Sequence, residues 1–385
     1  MAAFLFIFLA LYASMNFYLF RKVYIAFPGH KMLLLILGGA GVSLPILGRL
    51  LDRHGAAWLA RICGGVGYTW MVWVFWFLLL GLIFDIWNLG ARVAVRRFPG
   101  ALGWTVPARS LVIALGIVIA GLTILAVWEA SRIRIVRVDV DAPQLEGDAP
   151  LRIAVISDLH LSLTLRGRRL DQVVRLVEQT QPDMFVSLGD MVDASFEQMR
   201  PLAEHLARVR PPMGKYAILG NHEFYSGLDN SLPFLETAGF TLLRGESVSA
   251  GRNLRVAGVD DITAARWGMK ENADDGLALA GAREGEFVLF LKHRPEIGRR
   301  AEGRFHLILC GHTHGGQIFP FWQLAVRQFY PTPTGLHRAG ENAWLYLSRG
   351  TGTWGPRMRL FAPPEVTLVT LRPGNGASVA ARMAE

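Results

Sequence analysis

RIAVISDLHLS, residues 152–162, is a short apolar run that stops abruptly in Asp-x-His. A buried strand feeding a loop has this form. The arrangement recurs in DMFVSLGD (183–190), KYAILGNHE (215–223), FVLFLKH (287–293) and FHLILCGHTH (305–314). Each run is too short for a globular helix and ends in Asp, Asn or His. Between the first two, residues 168–179 (RRLDQVVRLVEQ) carry helical spacing, with Leu170, Val173, Val174 and Val177 on one face. A further helix is predicted around 196–209. Strands alternating with helices imply an α/β domain, and open α/β sheets gather ligands at the carboxyl ends of their strands.

Those ends bring together Asp158 and His160, Asp190, Asn221 and His222, His293, and His312 and His314. Any one of them has an ordinary explanation as a turn or loop residue. Together they do not, because five of the eight histidines beyond residue 128 stand at strand ends. The donor set is carboxylate, amide oxygen and imidazole, which suits Mn, Fe or Zn better than a thiolate site. Eight candidates exceed what one tetrahedral ion uses, so two ions are implied. Such a pair clamps a phosphoryl oxygen and activates a water. A carboxylate between them, most simply Asp190, would hold their spacing.

Upstream, residues 133–140 (IRIVRVDV) alternate as a half-buried strand and 141–150 form a Pro/Gly/Asp-rich linker. Before that the chain is greasy. Over 385 residues it is 52% hydrophobic and 18% charged, with a mean hydropathy of +0.31. Soluble domains carry about 25% charged residues, so disorder and a wholly soluble enzyme are both excluded. A membrane helix needs about 20 apolar residues, and four stretches qualify: 1–20, 32–48, 62–84 and 110–128. Of the net charge of +9, residues 1–128 supply ten Lys/Arg against two Asp/Glu, and the rest thirty against twenty-nine. The excess lies at membrane borders, and nucleic acid is not implied. The basic residues near the spans divide almost evenly between the two sides, so orientation stays open. Residues 91–109 are either an interfacial segment or a basic loop. Cys63 and Cys310 read as unpaired core thiols.

The motifs Asp158-Leu-His160, Gly189-Asp190-Met-Val-Asp193, Gly220-Asn221-His222-Glu223, Lys292-His293 and Gly311-His312-Thr-His314-Gly-Gly-Gln317 resemble the five blocks of the calcineurin-like metallophosphoesterase superfamily. The tail SRGTGTWGPRMRLFAPPEVTLVTL (348–371) looks like the ending of a membrane-associated branch. That branch includes phosphoesterases related to UDP-2,3-diacylglucosamine pyrophosphatases and a transmembrane protein with a metallophosphoesterase domain. The resemblance implies a four-layer αββα sandwich over 151–373, after a bundle of four transmembrane helices (1–128) and a strand with linker (129–150). Residues 374–385 are expected to be a flexible tail.

By the same resemblance, Asp158, His160 and His314 would bind one metal ion and Asn221, His293 and His312 a second, with Asp190 bridging. His222 would be catalytic, beside the leaving-group oxygen. Asp193 either orients a ligand or caps the next helix, Glu223 stands where the family often has Asp, and Asp260 and Asp261 are assigned no role. The stretch 318–335 (IFPFWQLAVRQFYPTPTG) is either a lid toward lipid or a packed loop. The expected activity is hydrolysis of a phosphodiester or diphosphate in a lipid-linked substrate, with the membrane and a phospho- or glycolipid as partners. Its alternatives are a tethered phosphomonoesterase or broad phosphodiesterase on soluble substrates, and a non-catalytic receptor or scaffold. A bacterial-type cytoplasmic membrane is the expected location.

Overall fold

The computed structural model describes residues 2–53, 56–162, 167–374 and 381–384. They divide into two compact units, Met1–Val127 with Gly355–Arg357, and Trp128–Trp354 with Met358–Glu385.

The first unit is built from α1 (Ala2–Ala26), α2 (Lys31–Arg53), α3 (Ala57–Ala94) and most of α4 (Ala108–Ser131). These helices are apolar nearly all round, a pattern that suits a buried or membrane helix rather than a surface one. Ile86 and Ile124, for example, are each more than 70% exposed. Among the described residues three helical stretches are long and apolar enough to cross a membrane: Pro28–Gly48, Trp58–Ala94 and Ala108–Ser131. The fourth expected span, 1–20, is not one of them. α1 runs from Ala2 to Ala26, and the side chains of residues 1–5, which open that span, lie outside the described residues. α3 is longer than the expected 62–84 and carries Asp85, which pairs with Lys22 and accepts from Tyr18 Oη at 2.8 Å. Of residues 91–109, α3 takes those up to Ala94, a short 3-10 turn spans Pro99–Trp104, and α4 opens at Ala108.

The described residues of the second unit form thirteen strands in two sheets. In chain order these are β1 (Arg134–Asp141), β2 (Leu151–Ile156), β3 (Met184–Ser187), β4 (Lys215–Ala217), β5 (Thr241–Leu242), β6 (Glu246–Ser249), β7 (Leu254–Gly258), β8 (Phe287–Leu291), β9 (Leu307–Cys310), β10 (Gly335–Gly340), β11 (Ala343–Leu347), β12 (Glu365–Arg372) and β13 (Ala381–Ala384). One sheet runs β13-β1-β12-β2-β3-β4-β5 and the other β10-β11-β9-β8-β7-β6. β2 to β5 are mutually parallel, as are β7, β8, β9 and β11.

Side chains alternate across each strand, and here both faces are covered. Val256, Leu289, Leu309 and Tyr346 join Val136, Ile153, Val186 and Ile218 in a single core between the sheets. Their neighbours Ala257, Phe290, Ile308 and Leu345 point the other way, into a second core with Leu279 and Phe305. Strands buried on both faces read as continuous apolar runs, which is why these segments stand out in the sequence. On the first sheet's side, α5 (Gly167–Gln179) buries Leu170, Val173, Val174 and Val177, and α6 (Phe196–Leu206) stops earlier than expected.

The tail is not loose throughout. β13 pairs antiparallel with β1, Val138 opposite Met383, and covers what would otherwise be an open sheet edge. The remainder of the expected tail, residues 375–380 and 385, lies outside the described residues. Cys63 and Cys310 are buried and free.

Candidate metal centre

Each candidate ligand stands on the loop that leaves a parallel strand. Asp158 and His160 follow β2, and Asp190 and Asp193 follow β3. Asn221 and His222 open the short helix α7 (Asn221–Ser226) after β4. His293 follows β8, and His312 and His314 follow β9. Because these strands run in parallel, their carboxyl ends meet at one edge. All of these residues except the half-buried Asp193 and His312 are buried.

The backbone there is strained. Asp158, His160, Asp190, His312 and His314 have φ of 54, 50, 53, 74 and 50°. Left-handed conformations cost non-glycine residues about 1–3 kcal/mol each and persist only where the surroundings enforce them. Two features do so. A Cβ on Gly189 would lie 2.3 Å from the Gly220 nitrogen, so the β3 and β4 loops touch through their glycines. Behind them Glu223, fully buried, accepts N–H bonds from Asp190 at 2.8 Å, Met191 at 2.6 Å and Gly220 at 2.8 Å. One carboxylate thus fastens both loops.

The donors form two groups that share a carboxylate. In the first, His160 Nε2 lies 3.1 Å from His314 Nε2, which is 3.4 Å from Asp158 Oδ1. In the second, His293 Nε2 lies 3.2 Å from His312 Nδ1. Asp190 Oδ2 stands between them, 3.3 Å from His293 Nε2 and 3.8 Å from His160 Nε2. Asp158–His160–His314 and Asp190–His293–His312 each bring their ligand atoms within 4.8 Å of one another, close enough to hold an ion.

Hydrogen bonds around the rim fix which atoms face inward. His293 Nδ1 donates to the Leu188 carbonyl at 2.7 Å, leaving Nε2 for the cluster. His160 Nδ1 bonds Asp193 Oδ2 at 3.0 Å, with the same consequence. Asn221 Oδ1 is buried with no hydrogen-bond partner. A buried amide oxygen left unpaired costs about 1–3 kcal/mol, and a cation would remove that cost. The residues present fit a pair of metal ions.

His222 is placed differently. Its Nδ1 bonds Asp193 Oδ1 at 2.7 Å, and its ring meets that of His160 edge-on, 4.6 Å between centroids. Asp193 therefore links a ligand candidate and the candidate catalytic residue through its two oxygens, and it caps nothing. Burial pulls the His222 imidazole down, but the Asp190 and Asp193 carboxylates outweigh it and hold its pKa at about 9. His293 is raised to about 10 in the same way, burial being outweighed by Asp190. His312 falls to about 3 through burial and the cationic His293 and Arg294 beside it. Burial and the neighbouring Asp190 push Glu223 up to about 7, against the backbone donors that favour its anion.

Several residues around the site carry no motif. Arg359, fully buried, donates to the carbonyls of Gly352 at 2.6 Å and His314 at 3.0 Å and lies 3.2 Å from His314 Nδ1. Tyr330 Oη lies 3.1 Å from His312 Nε2. Asp261 pairs with Arg294 and Asp260 with Arg244, so both acids are structural. The stretch 318–335 divides: Leu324 and Phe329 are exposed, while Tyr330 reaches His312. A cleft of about 260 Å³, lined among others by Ile318, Phe319, Trp322, Leu360 and Phe361, opens beside Gly315, the residue after His314.

Residues 151–316 match the family described as calcineurin-like phosphoesterase. A metallophosphoesterase of Aquifex aeolicus is 38% identical over 240 residues, 62% of this chain and 92% of that protein. A Campylobacter jejuni metallophosphoesterase is 32% identical over 237 residues, 61% of this chain and 62% of that one. A zebrafish (Danio rerio) transmembrane protein with metallophosphoesterase domain is 30% identical over 253 residues, 62% of this chain and 57% of that protein. The chain thus spans nearly all of the first relative and less than two thirds of the other two.

Proposed function

The chain belongs to the calcineurin-like phosphoesterases, and from that premise we propose that it is a membrane-anchored, two-metal hydrolase of a phosphodiester or diphosphate bond in a lipid-linked substrate. The observation that carries the two-metal reading is the shared Asp190 carboxylate between two buried ligand groups, with the unpartnered Asn221 oxygen at hand.

Asp158, His160 and His314 would hold one ion and Asn221, His293 and His312 the other, with Asp190 common to both. Mn, Fe and Zn all suit these donors. When bound, such ions supply Lewis-acid charge on the phosphoryl oxygens and lower the pKa of an attacking water.

The protein's own groups do the rest. His222 keeps Nδ1 on Asp193, so Nε2 is the atom free to give a proton to the departing oxygen. Its raised pKa keeps that proton in place at neutral pH. Glu223 holds the Asp190 and Asn221 loops in one register, so the donors are positioned before substrate arrives.

Three observations support a lipid substrate. Three helical stretches among the described residues are long and apolar enough to cross a membrane. The cleft beside His314 is lined mainly by aromatic and aliphatic side chains, as a site for an apolar chain would be. Two relatives are named as transmembrane proteins. A UDP-diacylglucosamine-like glycolipid precursor fits this description, and α1 would complete a four-span anchor in a bacterial-type cytoplasmic membrane. Protease accessibility in spheroplasts assigns the side on which the catalytic unit stands.

The first test is hydrolysis of bis(p-nitrophenyl) phosphate and p-nitrophenyl phosphate by detergent-purified protein with Mn, using His312→Ala as control. Metal-dependent turnover of the diester that disappears in the variant supports the two-metal diesterase. Turnover of the monoester alone replaces it with a phosphomonoesterase. A protein that binds no metal and turns over neither compound is a scaffold.

A further inference from the structure

Beside the second ligand group stands a hydroxyl that the reaction above does not use. Tyr330 Oη accepts a hydrogen bond from Arg294 Nη1 at 2.7 Å and lies 3.1 Å from His312 Nε2, the two rings meeting edge-on at 5.0 Å. Arg294 is itself fixed. Its Nε and Nη2 donate to the two oxygens of Asp261 at 2.5 and 3.0 Å, and the Asp261 side chain is fully buried. The Arg294 side chain retains 21% exposure and Tyr330 is half-buried, so neither is sealed from solvent.

Proton placement decides what the hydroxyl can do. His312 Nδ1 faces His293 Nε2 at 3.2 Å. As a ligand, its Nδ1 would offer a lone pair there to an ion. The His312 proton is therefore on Nε2, and the Tyr330 oxygen is its acceptor. A phenol oxygen accepts about two hydrogen bonds and donates one. Arg294 and His312 fill the two acceptor positions, which leaves the O–H hydrogen without a partner among the described residues. An oxygen that accepts from a guanidinium is also a stronger donor in turn.

Resting on the phosphoesterase reading, we infer that the Tyr330 hydroxyl is a catalytic residue that donates a hydrogen bond to a non-bridging oxygen of the substrate phosphoryl group at the second ligand group. Arg294 is the positioning residue that holds and polarises it, with Asp261 behind. The ligand class is any phosphate oxyanion, ester or free. The segment after the last motif thereby contributes to the chemistry as well as to the wall of the cleft.

Inorganic phosphate is the probe. Calorimetric titration of phosphate into Mn-loaded, full-length protein is compared between wild type and Tyr330→Phe, with bound Mn measured on both samples. The expected result is equal Mn content and phosphate binding weakened about ten- to a hundredfold, the range for one hydrogen bond to a charged group. Arg294→Lys, which keeps the charge and loses the fork, should lie between them. A Tyr330→Phe protein that binds phosphate as tightly as wild type overturns the inference. So does one that sheds Mn while its loaded fraction binds phosphate normally, because Tyr330 would then only orient His312. Wild type that binds Mn but no phosphate removes the phosphoesterase reading and this one with it, whereas a variant that binds phosphate as well as a binding wild type removes only the role of Tyr330.

Discussion

His160 hands its Nδ1 to the carboxylate of Asp193 at 3.0 Å, whereas His293 hands its own to the neutral carbonyl of Leu188 at 2.7 Å. The same contrast runs through the rest of the two ligand groups. The first includes the Asp158 carboxylate, and the second, as proposed above, would add the Asn221 amide. Asp190 is common to both. Beside His312 stands Tyr330 with the Arg294 cation, so positive charge flanks the second group where negative charge backs the first. A carboxylate behind an imidazole makes it a more basic ligand. The two positions are therefore unequal: the first would bind its ion tightly, and the second would be the exchangeable one.

The strongest way to break this comparison is Asp190→Asn, which removes the part the groups share. Turnover should fall by about 10⁴-fold or more, since each ion contributes several kcal/mol to the transition state. Metal analysis should show both ions lost or loosened; loss of one alone would mean that Asp190 serves a single group.

His222→Asn lies outside both groups and should spare both ions. Turnover of a substrate with a poor leaving group should fall by about 10²- to 10⁴-fold, and p-nitrophenyl esters should suffer less. Because the His222 pKa is raised to about 9, its proton is present below that pH and lost above it. Wild-type turnover should therefore decline on the alkaline side as that proton is lost, and the variant's pH profile should lack that limb.

Asp193→Asn sharpens the contrast. Its effect on metal affinity, about 10- to 100-fold, should fall on the first position only, as read by equilibrium dialysis. An equal loss at both would show the groups to be equivalent after all.

The smallest effect concerns protons. Burial is outweighed by Asp190 in raising His293 to about 10, so the metal-free second group carries a proton that an ion must displace. Affinity at that position should rise about tenfold per pH unit up to about 10. Calorimetry in buffers of different ionisation heat counts the proton released.

The strands and the residues at their carboxyl ends could be read from the chain because a strand buried on both faces leaves an unbroken apolar run, and the polar residue that ends it is conspicuous. FVLFLKH and FHLILCGHTH are plain in this respect. What stands behind the ligands left no such trace. Arg359 reaches His314 from 45 residues away, and the two readings open for Asp193 are decided only by its contacts to His160 and His222, 33 and 29 residues distant. Tyr330 sits in a stretch whose aromatic content suggested lipid rather than chemistry. Such partners are selected by three-dimensional contact, and nothing periodic marks them. Glu223 was visible only as a departure from the usual Asp, and its longer side chain spans two loops at once. Likewise β13 has too little apolar character to announce itself; it forms because β1 leaves an edge to be covered.

The left-handed backbone at Asp158, His160, Asp190, His312 and His314 restricts which metals the protein can ever be made to hold. Apart from glycine, Asn, Asp and His are the residues most enriched at positive φ, and these are also the oxygen and nitrogen donors found here. Cysteine or glutamate at such a position would be a fair ligand on a poor backbone. The loops thus allow a small alphabet, and they allow it whether or not an ion is bound. Conversion to a thiolate site would require new loops before it required new side chains, so the preference for oxygen and nitrogen donors is built into the main chain.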